Sequence, residues 1–351
     1  MYFLLLLLTV ASSQALNCTI SSVNDISSVV EQCTNITIGD LEVPDGQVLE
    51  FNLKMNSEIN FVGHVKFGVS YQDQTPLLRV TGTDIAIIGG SGHMLDGQGE
   101  KYWDGKGINS EKRKPVLLEI QGESATILDL NISNCPQTCI RVFKSMNIYI
   151  KNTTIDVSDG NYEDLGVDTH GIAIANSSYV TVRSADINNQ GDCVVVNQGY
   201  KIAVGEVTCN GSLGLTVRPE WELANYINNV NFTNCTIKES QTGIKVVTSP
   251  HQASGVISNV VYEDIQVEGI LFRGIEVRQD LDDDGHPSDN VEISKLNISR
   301  VNGTMTTKYV RSVYIWCGTD ACADWTWSDI EIRNAQVENA CNCIPMGWSC
   351  W

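Results

Sequence analysis

One segment of the chain, residues 189–197 (NQGDCVVVN), places a carboxylate at the entrance to a short β-branched run. Asp192 stands at a Gly-Asp-Cys corner, three valines follow, and Asn197 ends the run. In an earlier segment, Asp168 and His170 flank a threonine. Carboxylates and an imidazole could transfer protons in general acid–base chemistry. From these residues alone, Asp192 could equally cap a turn, and His170 could be an ordinary polar side chain on the surface.

Short apolar repeats indicate the elements that would position these side chains. Apolar residues recur at positions i, i+2 and i+7, with a turn rich in Asn, Ser and Thr between two short strands and almost no helical periodicity. The successive units are Ala125/Ile127/Ile132, Ile148/Ile150/Ile155, Val180/Val182/Ile187, Ile202/Val204, Val230/Phe232/Ile237 and Val291/Ile293/Ile298. An antiparallel sandwich would need hairpin turns, which the sequence lacks. The pattern therefore predicts an all-β fold, a single-stranded right-handed parallel β-helix, with a short N-terminal capping helix within residues 22–32.

The charge balance restricts the possible partners. The chain carries a formal net charge of −19 at pH 7. Nucleic acids and anionic membranes both require a basic face, so neither is expected as a partner. A polyanionic ligand would need a groove that supplies local positive charge.

The N-terminal segment predicts export. Residues 1–15 carry no charged side chain, contain the apolar run Leu4 to Leu8, and end in Ser-Gln-Ala. This pattern is typical of a signal peptide, and the run is too short for a membrane anchor. No linker divides the remainder, so residues 16–351 are predicted to form a single domain. We expect a soluble, secreted, extracellular monomer.

The cysteines agree with that compartment. The chain has 12 cysteines, and its ten Asn-x-Ser/Thr sequons suit a secreted glycoprotein. The even count requires no free thiol. Zinc binding by pairs such as Cys317 and Cys322 is the competing interpretation, but no histidine is near them. We therefore expect neither a metal nor a cofactor.

Four segments together resemble one known family. They are the central run 189–197, the Gly-rich segment 90–99, the segment 314–327 (YIWCGTDACADWTW) and the tail 341–350. All four are similar to segments of the polygalacturonases, the pectin-cleaving family of glycoside hydrolases, and they span essentially the whole mature chain. The resemblance implies a parallel β-helix and hydrolysis with inversion, which needs one carboxylic acid and a second, opposed carboxylate.

The family's catalytic positions are largely substituted here. Its central pattern, Asn-x-Asp-Asp-Cys, has Gly191 for the first aspartate and retains the second, the general acid, as Asp192. Its Asn-Thr-Asp strand falls on residues 168–170, so His170 replaces a water-activating aspartate. Its Gly-His-Gly segment falls on residues 212–214, where Leu213 replaces the imidazole. A glycine cannot accept a proton, and the loss of both water-activating carboxylates, at positions 170 and 191, should bring hydrolysis close to undetectable.

The family's substrate-gripping residues are partly retained. Its Arg-Ile-Lys segment aligns with residues 245–247 if one residue is inserted before Gly255, which places Lys245 and Val247 at the two basic positions; without the insertion neither basic residue survives. Lysine does not reproduce the bidentate grip of arginine on a carboxylate. Tyr314 matches the family's tyrosine, and Arg278 could also face the groove.

Three functions remain open at this point. The first is a non-catalytic protein that binds pectin or oligogalacturonide. The second is an active or residually active polygalacturonase with Asp192 as general acid, assisted by Asp168 or His170. The third is a decoy that binds plant polygalacturonase-inhibiting proteins. A groove that remains basic would favour the first two.

The resemblance also implies four disulfides. They are Cys18–Cys33, Cys193–Cys209, Cys317–Cys322 and Cys341–Cys350. Cys135 and Cys139 could close a local loop, which would leave Cys235 to pair with Cys343. Residues 280–285 (DLDDDG) open like a calcium loop, but position twelve is Val291 where a glutamate is required, so a solvated loop is expected.

Overall fold

The computed structural model describes residues 18–72, 75–219, 225–281, 285–306 and 310–350, and most of them lie in short strands. The predicted signal segment lies outside these ranges. The strands are β1 (Thr19–Ile20), β2 (Asn35–Ile38), β3 (Leu41–Val43), β4 (Leu49–Asn52), β5 (Glu58–Phe61), β6 (His64–Phe67), β7 (Leu78–Gly89), β8 (Met94–Asp96), β9 (Leu118–Leu128), β10 (Asn131–Ser133), β11 (Thr138–Phe143), β12 (Met146–Lys151), β13 (Thr154–Asp156), β14 (His170–Ala175), β15 (Ser177–Arg183), β16 (Asp186–Asn188), β17 (Val194–Val196), β18 (Gly199–Gly205), β19 (Thr208–Asn210), β20 (Leu215–Val217), β21 (Asn225–Lys238), β22 (Thr242–Val247), β23 (Gly255–Ile270), β24 (Arg273–Arg278), β25 (Val291–Met305), β26 (Arg311–Trp316), β27 (Cys322–Ala323), β28 (Thr326–Arg333) and β29 (Ala340–Cys341). The helices are α1 (Ile26–Gln32) and 3₁₀ turns at Val23–Asp25, Gly99–Lys101, Gly107–Asn109 and Ser158–Asp164.

The described strands pair only in parallel, and they stack in three ladders along the molecule. One ladder runs β4, β7, β9, β11, β14, β17, β20, β22, β24, β26, β29, and we call it the site ladder. A second runs through β5, β12, β15, β18, β21, β23, β25 and β28, and a third through β3, β6, β8, β10, β13, β16 and β19. The predicted parallel β-helix is thereby confirmed, because a sandwich would require antiparallel pairs.

The core is built from the repeat that the sequence showed, with one exception. Ile148 pairs in register with Ala125 and Val180, and the side chains of Ile148 and Val180 are essentially inaccessible to solvent. The unit predicted at Val291 is out of register, because Ile298 pairs with Tyr262 and so takes position i+2 rather than i+7. Apolar residues occupy so many alternate positions of β25 that the sequence does not show which of them begins the repeat.

The N-terminal end is closed by α1, as predicted. Ser22 and Asp25 form a capping box at the preceding 3₁₀ turn, which satisfies the first free amides of the segment. Ile26 is buried against the first turn of the solenoid, and the Cys18–Cys33 disulfide joins the two ends of this segment. Among the described helices, none has the length and apolar character needed to cross a membrane.

The structure contains four disulfides, three of which are pairs that the resemblance implied. They are Cys18–Cys33, Cys135–Cys139, Cys193–Cys209 and Cys341–Cys350.

The predicted Cys317–Cys322 bridge is not formed, and both residues are thiols. Cys322 lies between two thiols: contact with Cys317 raises the pKa of Cys322, and contact with Cys322 raises that of Cys343. The expected Cys235–Cys343 bridge is absent too, because Cys343 is engaged with Cys322 while the buried Cys235 thiol donates to the Thr233 carbonyl at 3.4 Å.

Candidate functional site

The outward-facing side chains of the site ladder change in character along the molecule. They alternate on each strand with apolar side chains that point into the core. From the N-terminal end, the residues at one shared register position are Glu50, Arg79, Glu119, Arg141, Ala173, Val195, Thr216, Lys245, Glu276 and Tyr314. Neighbouring strands are about 4.8 Å apart, so each side chain lies against the next. Charged residues therefore flank a neutral centre on both sides.

Asp192 lies at this centre, in the turn immediately before β17, and its side chain is 0% exposed. The Asn189 amide fixes the turn, because it donates hydrogen bonds to the carbonyls of Thr169, Gly191 and Asp192 at 2.7, 3.1 and 3.0 Å. On the next strand of the ladder, the Thr216 hydroxyl donates to Asp192 Oδ1 at 2.7 Å. The carboxylate is thus held by groups from successive turns of the solenoid.

Two cations cover the buried carboxylate. Arg218 Nη2 lies 3.0 Å from Asp192 Oδ2, and Lys245 Nζ lies 3.7 Å from Oδ1. The Asn197 amide donates to the Arg218 carbonyl at 2.9 Å and so positions the arginine. Burial by itself would raise the pKa of Asp192, but the Arg218 and then the Lys245 charge outweigh it and hold that pKa well below its usual range. Asp192 is therefore an ionised carboxylate with no access to solvent.

His170 contacts Asp192 without forming an ion pair. The backbone N–H of Asp192 donates to His170 Nδ1 at 2.9 Å, so Nδ1 carries no proton and the proton of the neutral ring is on Nε2. Burial lowers the pKa of His170 more than the neighbouring Asp192 carboxylate raises it. The imidazole is consequently neutral, and the 3.5 Å contact between Nδ1 and Asp192 Oδ2 joins a charged group to an uncharged one.

Asp168 is engaged elsewhere. Its Oδ2 accepts a hydrogen bond from the Ile108 backbone N–H at 3.0 Å, and its backbone has φ near 61°. A β-carbon on Gly107 would lie 1.9 Å from the same oxygen, which shows how closely the 3₁₀ turn Gly107–Asn109 approaches. The Asp168 carboxylate therefore anchors this turn.

Gly191 sits where no side chain fits. A β-carbon at this position would lie 2.7 Å from the Thr169 carbonyl group and 2.8 Å from His170 Nδ1. The Leu213 N–H donates to the Gly191 carbonyl at 2.8 Å, so the leucine occupies the turn beside it and is partly exposed. Backbone atoms and the imidazole fill the volume that a second aspartate would take.

A second charged cluster adjoins Lys245 along the ladder. Glu276 pairs in register with Lys245 on one side and Tyr314 on the other, and it is only 6% exposed. Arg273 forms a close ion pair with Glu276, and its guanidinium lies 3.7 Å from the centre of the Tyr314 ring. Arg278 lies 3.9 Å from Glu276 and makes a 2.6 Å ion pair with Asp280.

Comparison with known proteins decides the family. The model of glycosyl hydrolases family 28 matches residues 33–350. The chain belongs to this family. A polygalacturonase of Phaedon cochleariae is 35% identical over 345 residues, covering 95% of this chain and 93% of that protein. An endopolygalacturonase I of Aspergillus niger is 32% identical over 350 residues, covering 97% and 92%.

A solved family 28 structure agrees with the fold. Endopolygalacturonase I from Stereum purpureum, complexed with two galacturonate, superimposes with a TM-score of 0.85 at 26% identity, covering 92% of this chain and 96% of that one.

Within this family 28 fold, four of the predicted site residues lie together. Asp192 contacts His170 and Lys245 directly, and Gly191 is beside His170. Tyr314 lies two strands further on. Val247 lies two positions after Lys245 at the end of β22, pairs with Arg278 and is fully buried.

Three charged residues of the site were not predicted. They are Arg218, Arg273 and Glu276. The sequence does contain a signal for Arg218. This residue lies two positions after Thr216, so an extended chain would place both side chains on the same outward face. For Arg273 and Glu276 the sequence shows only charged residues on a six-residue strand that also carries Arg278, and their relation to Lys245 follows from the strand pairing alone.

Proposed function

We propose that the chain is a secreted, monomeric, non-catalytic member of family 28 that binds pectin or oligogalacturonide. The observation that supports this most strongly is the state of Asp192. Inverting hydrolysis needs a protonated carboxylic acid at the leaving oxygen and a carboxylate across the sugar that activates water. Asp192 is buried, ionised and covered by Arg218 and Lys245, so it meets neither requirement.

The remaining groups do not replace the missing carboxylates. The imidazole of His170 is neutral, but its Nδ1 accepts the Asp192 amide and so cannot also accept a proton from water. The carboxylate of Asp168 holds the turn at Ile108. Gly191 has no room for a carboxylate. Each general acid–base contribution is worth roughly 10² to 10⁴ in rate, so their combined loss would bring hydrolysis close to the uncatalysed level.

Local positive charge supports a role in binding. A cavity of about 270 Å³ adjoins the site ladder at Arg141, and its lining includes Lys112, Arg113 and Lys114. Lys114 is paired with Asp104 at 2.8 Å. A chain with a net charge of −19 thus carries a concentration of cations beside β11, on the N-terminal side of Asp192, where they could attract a uronide carboxylate.

The test of this proposal is an activity assay on purified protein. Incubation with demethylated polygalacturonate should release no reducing ends above a heat-inactivated blank. The control is Asp192→Asn, which removes the retained general-acid position. Turnover by the wild-type protein that is lost in this variant would establish the alternative, a residual polygalacturonase with Asp192 as general acid.

Binding separates the proposed function from the decoy. Calorimetry with galacturonide oligomers and with pectin should detect association with dissociation constants in the range of about 10⁻⁴ to 10⁻³ M. Failure to bind any pectic ligand would favour a protein partner, such as the plant polygalacturonase-inhibiting proteins.

A further inference from the structure

The part of the site ladder that extends from Asp192 to Tyr314, called the centre in this subsection, carries cations that already have carboxylate partners. Arg218 and Lys245 lie within 4 Å of Asp192. Arg273 and Arg278 lie within 4 Å of Glu276, and Arg278 also pairs with Asp280. Asp168 holds the turn at Ile108, but its charge acts on His170 across a longer distance, and with it the carboxylates in and around this centre equal the cations in number. They are Asp168, Asp192, Glu276 and Asp280 against Arg218, Lys245, Arg273 and Arg278.

These counter-charges are permanent parts of the fold. Asp192 and Glu276 are 0% and 6% exposed, so a ligand carboxylate cannot displace them into solvent. A second carboxylate brought to Arg218 or Arg273 would approach a buried negative charge at the same time. Like charges brought together in a partly desolvated site repel strongly, so a free uronate gains little there.

The same region offers apolar surface. The Phe272 ring is 48% exposed, and the Arg273 guanidinium lies 4.6 Å from its centre and 3.7 Å from that of Tyr314. Leu213, at the position where the family resemblance implies an imidazole, is also partly exposed. Rings and aliphatic groups of this kind pack against the C–H faces of sugars and against methyl groups.

We propose that the galacturonide units bound at the centre of the site ladder are methyl esters, and that the preferred ligand is a partly esterified pectin rather than free polygalacturonate. This inference rests on the proposed function. An ester removes the charge that the balanced centre and the −19 chain repel, and it presents a methyl group to Leu213, Phe272 and Tyr314.

The experiment compares galacturonide hexamers of equal length, one unesterified and one partly methyl-esterified, with a neutral galactan oligomer as control. Ligand-observed NMR and calorimetry would give the dissociation constants at low and moderate salt. We expect the esterified hexamer to bind at least about tenfold more tightly, with little dependence on salt.

The possible outcomes separate this inference from the proposed function. Tighter binding of the unesterified hexamer, weakened by salt, would overturn the ester preference while leaving pectin binding intact. If neither hexamer binds, the proposed function is overturned, and the ester preference with it.

Two variants identify the cause of the preference. Phe272→Ala changes an exposed ring, and it should weaken the esterified hexamer severalfold and leave the unesterified one unchanged. Glu276→Gln removes one buried counter-charge, and it should narrow or reverse the preference, because Arg273 then becomes available to a free uronate. Glu331→Gln, on an exposed ion pair with Arg333, is the matched control and should change neither constant. If Phe272→Ala and a folded Glu276→Gln protein both keep the wild-type preference for the esterified hexamer, the centre of the site ladder is not where the methyl esters bind.

Discussion

The inner and outer faces of the site ladder lie on the same strands, one residue apart, and differ completely in composition. The inner positions are uniformly apolar and inaccessible to solvent: Ile172, Val194, Leu215, Ile244, Ile275 and Val313. The outer positions on these strands carry Ala173, Val195, Thr216, Lys245, Glu276 and Tyr314, which range from aliphatic through polar and charged to aromatic. Packing therefore restricts one face to similar shapes, whereas the other is free to vary, and its charges interact mainly with each other.

The largest effect is expected on the inner face. Ile244→Ala should lower the free energy of unfolding by about 2 to 5 kcal/mol, because it removes buried methyl groups and leaves a cavity in a stacked core. Ile344→Ala, at an isoleucine that is 57% exposed, is the matched control and should change stability by less than about 0.5 kcal/mol. Chemical denaturation measures both, and equal effects would contradict the distinction between the faces.

On the outer face, substitutions that change the charge balance around Asp192 should lower the stability of the protein the most. Arg218→Met should destabilise the protein by about 2 kcal/mol, which is less than the roughly 3 to 5 kcal/mol typical of a broken buried pair, because Lys245 still faces the carboxylate. Arg333→Met, in an exposed pair with Glu331, should cost less than about 1 kcal/mol. Thermal denaturation compares the two variants. Equal losses of stability would mean that the Arg218–Asp192 pair stabilises the protein no more than a surface ion pair does.

Gly191 tests whether the lost aspartate could simply be restored. Gly191→Ala should cost about 1 to 3 kcal/mol, because the new methyl group meets the Thr169 backbone, and Gly191→Asp should cost more. Gly39→Ala is the control, since a β-carbon there has no atom within 4 Å. A stable Gly191→Asp protein would show that the turn can move, and would make a rebuilt catalytic pair worth assaying.

The pH dependence of stability should report the neutral His170. Its folded pKa is lowered, so below about pH 6.5 the unfolded chain binds a proton that the folded chain does not. Stability should fall as pH decreases from 6.5, by up to about 1.4 kcal/mol per pH unit, and His170→Gln should remove this loss. Substituting the exposed His251 by Gln should leave it in place.

A further loss should appear below about pH 4, because the lowered pKa of Asp192 contributes stability that is present only above the carboxyl's ordinary pKa. Asp192→Asn should reduce this second loss, since Asp104 and other carboxyl groups with lowered pKa values still contribute to it, and should leave the loss at higher pH.

The fold was predictable because the inner face repeats. Six apolar units imply stacked strands, and the pairing of Ile148 with Ala125 and Val180 confirms the register of the early ones. The unit at Val291 failed because apolar residues alternate along β25, and Leu296 rather than Val291 pairs with Val260, which continues the Val230 position of the repeat. The alternating sequence of β25 does not by itself show which apolar residue begins the unit.

The site was only partly predictable because its charges do not repeat. Asp192, His170 and Lys245 were proposed from a resemblance, whereas Arg218 is indicated only by its parity with Thr216, and the place of Glu276 beside Lys245 follows from the strand pairing alone. The Cys317–Cys322 pairing was expected on the same grounds, but the structure has both residues as thiols, with the Cys343 thiol also beside Cys322.

The buried Asp192 also bears on how the solenoid assembles. Strands of a parallel ladder are so similar that a chain could stack one turn out of place with little loss of apolar contact. The Asp192 carboxylate is satisfied only when Thr216, Arg218 and Lys245 arrive from the two following strands in the correct order. A slipped turn would bury an uncompensated charge, so this residue selects the native register from its near-equivalent alternatives.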